Sequence, residues 1–329
     1  MKRSQQIYLL FIAAALFLGI FLFPSGDDGP AEFDTVGTAI EAGAEYHYLG
    51  PLLFEPGPLD LATLKTTFSP FWESQPDSSF WERERRNPQM QDHYANTNDF
   101  VYTEALQDNV QEMLDRFYQL TGAPQASQVY FYISGIDLAD PVIFTPPYLF
   151  IGLDNFIGTD YPGYQGIPEY SKALMTPKQL PVKLGETLGK SLVPAPTGDT
   201  PLLDQMVYWG KIYNVVHALN SNASPAEVLG YTEEQWAYLT QNEKDIWQHF
   251  VANKLLFNTD FILAQRTIEP APFTKLNTGF DHEIPPRLGR FLGYRIVRAY
   301  LNNNTTTNIP ALMAESNSRT LLNKSNYKP

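Results

Sequence analysis

Five histidines, His47, His93, His217, His249 and His282, are the chain's only imidazoles. None stands four residues from another, so no HExxH pair puts two rings on one helix face for zinc. They read as ordinary packed or surface rings. Cysteine is absent, which removes disulfides, thiolate metal sites, thiol nucleophiles and a thioether-linked lipid. There is no GxSxG elbow, GxxxxGK phosphate loop or GxGxxG turn, so no cofactor is expected. Asp281-His282-Glu283 is polar, but adjacent side chains diverge, and the triplet reads as a solvated turn before Pro285-Pro286. Glu186 stands alone between Gly185 and Gly189. Arg287, Arg290, Arg295 and Arg298 form a band; at roughly 100° per residue, Arg287 and Arg298 fall within about 20° of each other. Such a band can hold a carboxylate or phosphate, or pair with the chain's own Asp and Glu.

These side chains need elements to position them. With 329 residues, 43% apolar and 18% charged, the chain can bury a sizeable core. Its net charge of −13 fits poorly with phosphate backbones, so nucleic acid is not an expected partner. Leu106, Val110, Met113, Leu114, Phe117 and Leu120 follow helical spacing, with Gly122 placed to end the helix. Leu202, Leu203, Met206, Trp209, Ile212, Tyr213 and Val216 form a second stripe. Ser224 with Glu227 and Thr232 with Gln235 are capping boxes, the latter opening a long helical segment towards Leu255. Another helix is expected over roughly Arg287–Leu301. Gly289 and Gly293 inside it each cost up to roughly 1 kcal/mol, so another backbone should pass close by. Leu180, Leu184, Leu188 and Leu192 imply a helix through Gly185 and Gly189, packed tightly on a neighbour. Strands are expected at Val129–Ser134, Val142–Phe144 and Tyr148–Gly152. The whole is an α+β domain, mainly helical with a small β-sheet.

Lys2 and Arg3 precede an apolar run over residues 7–23, followed by Asp27-Asp28: the layout of an export signal. Phe21, Leu22, Phe23 and Pro24 crowd the place where a cleavage site needs small residues. An uncleaved membrane anchor is therefore favoured over a cleaved signal peptide. The division expected is a signal or anchor segment over 1–26, a tether over 27–45, and a single domain over 46–329.

Several stretches together resemble the gliding-motility-associated lipoprotein GldB family of the Bacteroidetes. They are Tyr148-Leu149-Phe150-Ile151-Gly152-Leu153-Asp154-Asn155-Phe156-Ile157-Gly158, Gly210-Lys211, and the run from Tyr231-Thr232 through Gln235-Trp236 to Ile246-Trp247. Ala271-Pro272-Phe273-Thr274, Pro286-Arg287 to Tyr300, and the close at Ser325-Asn326-Tyr327-Lys328-Pro329 complete the resemblance. Family members usually carry a lipobox cysteine, and this chain has none; a membrane segment would have to replace the lipid. The family is also distantly similar to predicted gluzincin-type zinc proteases. On that likeness Gly185, Glu186 and Gly189 fall in the HExxH slot and Trp209 in the slot of the third zinc ligand. Only Glu186, matching the general base, survives, and a catalytic zinc needs three protein ligands.

The resemblance implies a non-catalytic, zincin-like envelope protein that faces the periplasm and supports gliding motility and its secretion machinery through protein partners. One alternative is an exported hydrolase using Glu186 with Asp154, Asp160 or His217. Another is a peptide- or glycan-binding module whose emptied cleft is lined by Trp209, Tyr208 and Tyr213. Those aromatics also fit the core stripe of their helix.

Overall fold

Val129 and Phe131 alternate with Tyr130 and Tyr132, so one strand offers an apolar row to one side of a sheet and a tyrosine row to the other. The computed structural model describes residues 29–37, 43–70, 78–197, 199–279 and 281–329. Its sheet has four strands, β1 (Glu45–Tyr48), β2 (Gln128–Tyr132), β3 (Val142–Thr145) and β4 (Tyr148–Gly152), in the order β1-β2-β4-β3. β1, β2 and β4 run parallel, and β3 pairs antiparallel with β4. Val129 registers with Leu149 and Phe131 with Ile151, all buried on one face. On the other face Tyr130 stacks on Phe150.

Three of the strands lie where the pattern puts them. β1 is additional, and begins at the last residue of the expected tether. Earlier in that stretch Ala31 is buried, and the amides of Val36 and Gly37 donate to the Gln119 carbonyl.

Parallel neighbours need a long crossover. From β1 to β2 it carries α1 (Leu49–Phe54), α2 (Leu61–Thr67), α3 (Ser78–Arg86), α4 (Pro88–Phe100) and α5 (Glu104–Thr121). Gly122 ends α5 in the left-handed conformation, φ 64°, as expected. After the sheet come α6 (Glu169–Lys172), α7 (Gln179–Lys190), α8 (Leu202–Leu219), α9 (Pro225–Leu229), α10 (Glu233–Gln241) and α11 (Glu243–Ala252). Then follow α12 (Phe261–Ile268), α13 (Leu288–Asn303), α14 (Ile309–Ala314) and α15 (Ser318–Ser325). Both capping boxes form. The long segment expected after Thr232 is instead two helices, because the chain leaves helical geometry at Asn242, whose side-chain amide donates to the Tyr238 carbonyl.

The helical body is organised around α8, which is buried over almost its whole length. Met206, Ile212 and Tyr213 pack with α13, while Val215, Ala218 and Leu219 join the core beneath the sheet. The crossing with α13 is very close. A Cβ on Gly210 would lie 2.2 Å from the Gly293 carbonyl oxygen, and one on Gly293 only 1.8 Å from that of Met206. Gly185 and Gly189 of α7 face Val216 and Ile212 of α8. The expected close approaches at Gly289 and Gly293 and along α7 are therefore present.

Among the described residues no helix is long and apolar enough to cross a membrane. The apolar run over 7–23 lies outside the described residues.

Candidate functional site

Residues three, four and seven apart share a helix face. On α7 that face carries Lys183, Glu186 and Lys190, while Gly185 and Gly189 press the adjacent face against α8. The Glu186 carboxylate is buried; it accepts a hydrogen bond from Tyr213 Oη at 2.8 Å and has Lys183 Nζ at 3.5 Å. Tyr213 Oη in turn accepts from Arg290 Nη1 at 2.9 Å. Arg290 is fixed from two further sides. Its Nε donates to the Ile268 carbonyl at 2.6 Å, and its guanidinium lies 3.5 Å from the centroid of the Trp209 ring. Glu269 stands 3.6 Å away at the rim. Lys190 Nζ lies 4.9 Å from the same Trp209 ring, and Trp209 stacks on Tyr213.

Burial alone would push the Glu186 carboxyl up. Lys183, Arg290, Lys190 and the Tyr213 hydrogen bond together outweigh it and hold the group below its ordinary value. Glu186 is thus a carboxylate at neutral pH, a poor proton donor and weakly basic. Burial pulls the Lys190 ammonium down, with Glu186 acting in the opposite direction. Burial also raises the Tyr213 hydroxyl, keeping it protonated as the donor to Glu186.

These residues edge a cleft of about 280 Å³. Arg287 closes one side. It has a left-handed backbone, φ 58°, and precedes α13 rather than belonging to it. Its Nη2 donates to the Gly230 carbonyl at 2.7 Å, its guanidinium lies 5.1 Å from the Tyr231 ring, and Tyr231 Oη donates to the Pro286 carbonyl. Leu138, Leu174 and Pro270 supply accessible apolar lining, with Met175, Val228 and Leu229 buried behind it.

Of the residues singled out in the sequence, Glu186, Trp209, Arg287 and Arg290 meet at this cleft. Tyr213 is fully buried beneath it. Tyr208 belongs to a neighbouring groove shared with Lys211 and Met313. The arginine band does not hold as one face. Arg287 lies outside the helix, Arg295 pairs with Glu243 at 2.9 Å, and Arg298 is buried away from the cleft lining. Internal pairing, the other expectation for these arginines, is what Arg290 with Glu269 and Arg295 with Glu243 display.

The partners considered for Glu186 are elsewhere. Asp154 accepts from the amides of Ser134 and Ile136 and bolts the chain after β2 to the chain after β4. Asp160 is exposed. His217 Nδ1 is within 2.8 Å of Tyr294 Oη. Asp281 organises a turn by accepting from the amides of Leu276, Asn277 and Thr278. Among the described residues no three His, Asp or Glu side chains are grouped as a metal site. The sequence reading missed Lys183 and Lys190, although their spacing from Glu186, three before and four after, is the signal of a shared face. It also missed Glu269, which no local pattern marks.

The architecture is that of a mainly helical α+β domain with a charged cleft between α7, α8 and the start of α13. The family described as gliding motility protein GldB matches residues 37–329, and the chain belongs to that family. The family's label refers to lipoproteins, which are proteins of the cell envelope, whereas this chain has no cysteine to carry the lipid. No curated protein and no solved structure matches the chain.

Proposed function

We propose that this GldB-family protein is a non-catalytic component of the cell envelope that supports gliding motility and the associated secretion machinery through protein partners. It faces the periplasm from an uncleaved anchor over residues 7–23. In this reading the domain keeps a degenerate zinc-peptidase shell. The observation that carries it is the state of α7. A Cβ at Gly185 would already lie 3.2 Å from Val216, and one at Gly189 3.3 Å from Ile212, so two metal-binding imidazoles have no room there. The carboxylate in the general-base slot is committed to Tyr213 and Lys183. A base needs a poised pKa and a proton within reach; this one is held low and engaged.

The test is metal analysis of the purified protein together with hydrolysis of a peptide library in the presence of Zn²⁺. The expected result is substoichiometric zinc and no turnover. Stoichiometric, chelator-removable zinc with peptide cleavage would sink the proposal. The cationic cleft favours a binding role within this reading.

A further inference from the structure

We infer that the cleft between α7 and α13 is a receptor for the free carboxylate of a peptide chain ending in an apolar residue. This rests on the non-catalytic reading and gives its cleft a ligand class.

The chain carries a net charge of −13, yet Lys183, Lys190, Arg287 and Arg290 edge this cleft against only Glu186 and Glu269. Two of the four cations have an internal counter-charge, Lys183 in Glu186 and Arg290 in Glu269. Among the described residues no carboxylate lies within ion-pair distance of Lys190 or Arg287. Both are nonetheless held in place, Lys190 against Trp209 and Arg287 by the Gly230 carbonyl and the Tyr231 ring. Cations drawn out of bulk water without a direct ion-pair partner are costly to a fold and favourable to an arriving anion.

Size and lining narrow the anion. About 280 Å³ admits the end of a chain, not a folded surface. Leu138, Leu174 and Pro270 offer accessible apolar surface that inorganic phosphate would leave unused. Glu186, buried in the wall, and Glu269 at the rim repel a dianion more strongly than a single carboxylate. A long acyl carboxylate satisfies the charge but brings no amides to the polar side chains of Ser171 and Gln179 in the lining. A terminal residue with an aliphatic side chain satisfies charge, volume and wall together.

The experiment titrates the full-length protein by calorimetry with four probes: acetyl-Ala-Ala-Ala-Leu with a free carboxylate, its carboxy-terminal amide, inorganic phosphate and octanoate. The free acid is expected to bind saturably, at least tenfold more tightly than the other three. Lys190→Gln should weaken binding several-fold with unchanged thermal unfolding, and Lys190→Arg should restore most of it. Equal binding of the amide, tighter binding of phosphate or octanoate, no saturable binding, or indifference to Lys190→Gln would each overturn the inference. Those failures leave the non-catalytic reading intact. Hydrolysis of the bound probe would overturn that reading instead.

Discussion

Glu186 is where charge, burial and hydrogen bonding converge, so its replacement separates their contributions. Glu186→Leu removes the acceptor of Tyr213 and the counter-charge of Lys183, and leaves buried Arg290 facing only the rim carboxylate of Glu269. Breaking one side of a buried charge pair typically costs about 3 kcal/mol or more. A loss of that order is expected in urea unfolding at pH 7, with a smaller loss for Glu186→Gln, which keeps an acceptor for Tyr213. The pH dependence has a definite sign. The folded-state pKa lies below the ordinary 4.5, so the carboxylate's contribution is complete above that value and is lost as pH falls through the lowered one. Glu186→Gln should therefore flatten the acid limb of the stability curve below about pH 4.5, leaving its shape near neutrality unchanged.

At the level of elements, glycine positions distinguish a backbone crossing from a side-chain contact. Gly210→Ala would drive a methyl into the Gly293 carbonyl. Overpacking against main chain, which yields less than a side chain, should cost about 3 kcal/mol. Gly185→Ala meets the Val216 methyls at 3.2 and 3.3 Å and the Val216 Cα at an ordinary 3.4 Å, and gains roughly 1 kcal/mol of helix propensity, so its unfolding midpoint should stay near wild type. Thermal unfolding of the two variants side by side checks both.

This scale also explains what could be read from the sequence. Paired glycines inside apolar helical spacing announce a close neighbour, and Ser224 and Thr232 announce helix starts through local chemistry. β1 has no such signature. Glu45-Tyr46-His47-Tyr48 is four residues long, and its extended state depends on parallel pairing with residues some eighty positions away. The break at Asn242 is hidden because apolar spacing continues across it. The turn at Arg287 is equally silent, being held by Gly230 and Tyr231, far off in sequence. The cleft was therefore legible as residues but not as a set: Glu186, Trp209 and Arg290 come from three helices, and tertiary packing alone decides that they meet.

Across the whole molecule, the carboxy-terminal helices fasten the body. Glu243, at the start of α11, takes Arg295 from α13 and accepts a hydrogen bond from Tyr327 Oη at 2.6 Å, while Asn303 donates to the Ser325 carbonyl. The Lys211 ammonium, midway along α8, donates to the Glu315 carbonyl at 2.5 Å just beyond α14. Burial holds its pKa below the ordinary value, against the pull of Glu315.

That lysine latches the end of the chain to its interior. Its ammonium donates to the main-chain oxygens of Met313 and Glu315, so the segment that leads into α15 is tied to a helix buried over almost its whole length. Lys211→Met keeps most of the stem's volume and removes the latch, so the backbone amides of α15 should exchange with solvent several-fold faster than in the wild type while those of α8 stay protected. Equal exchange at α15 would mean that packing alone holds the chain's last turns in place.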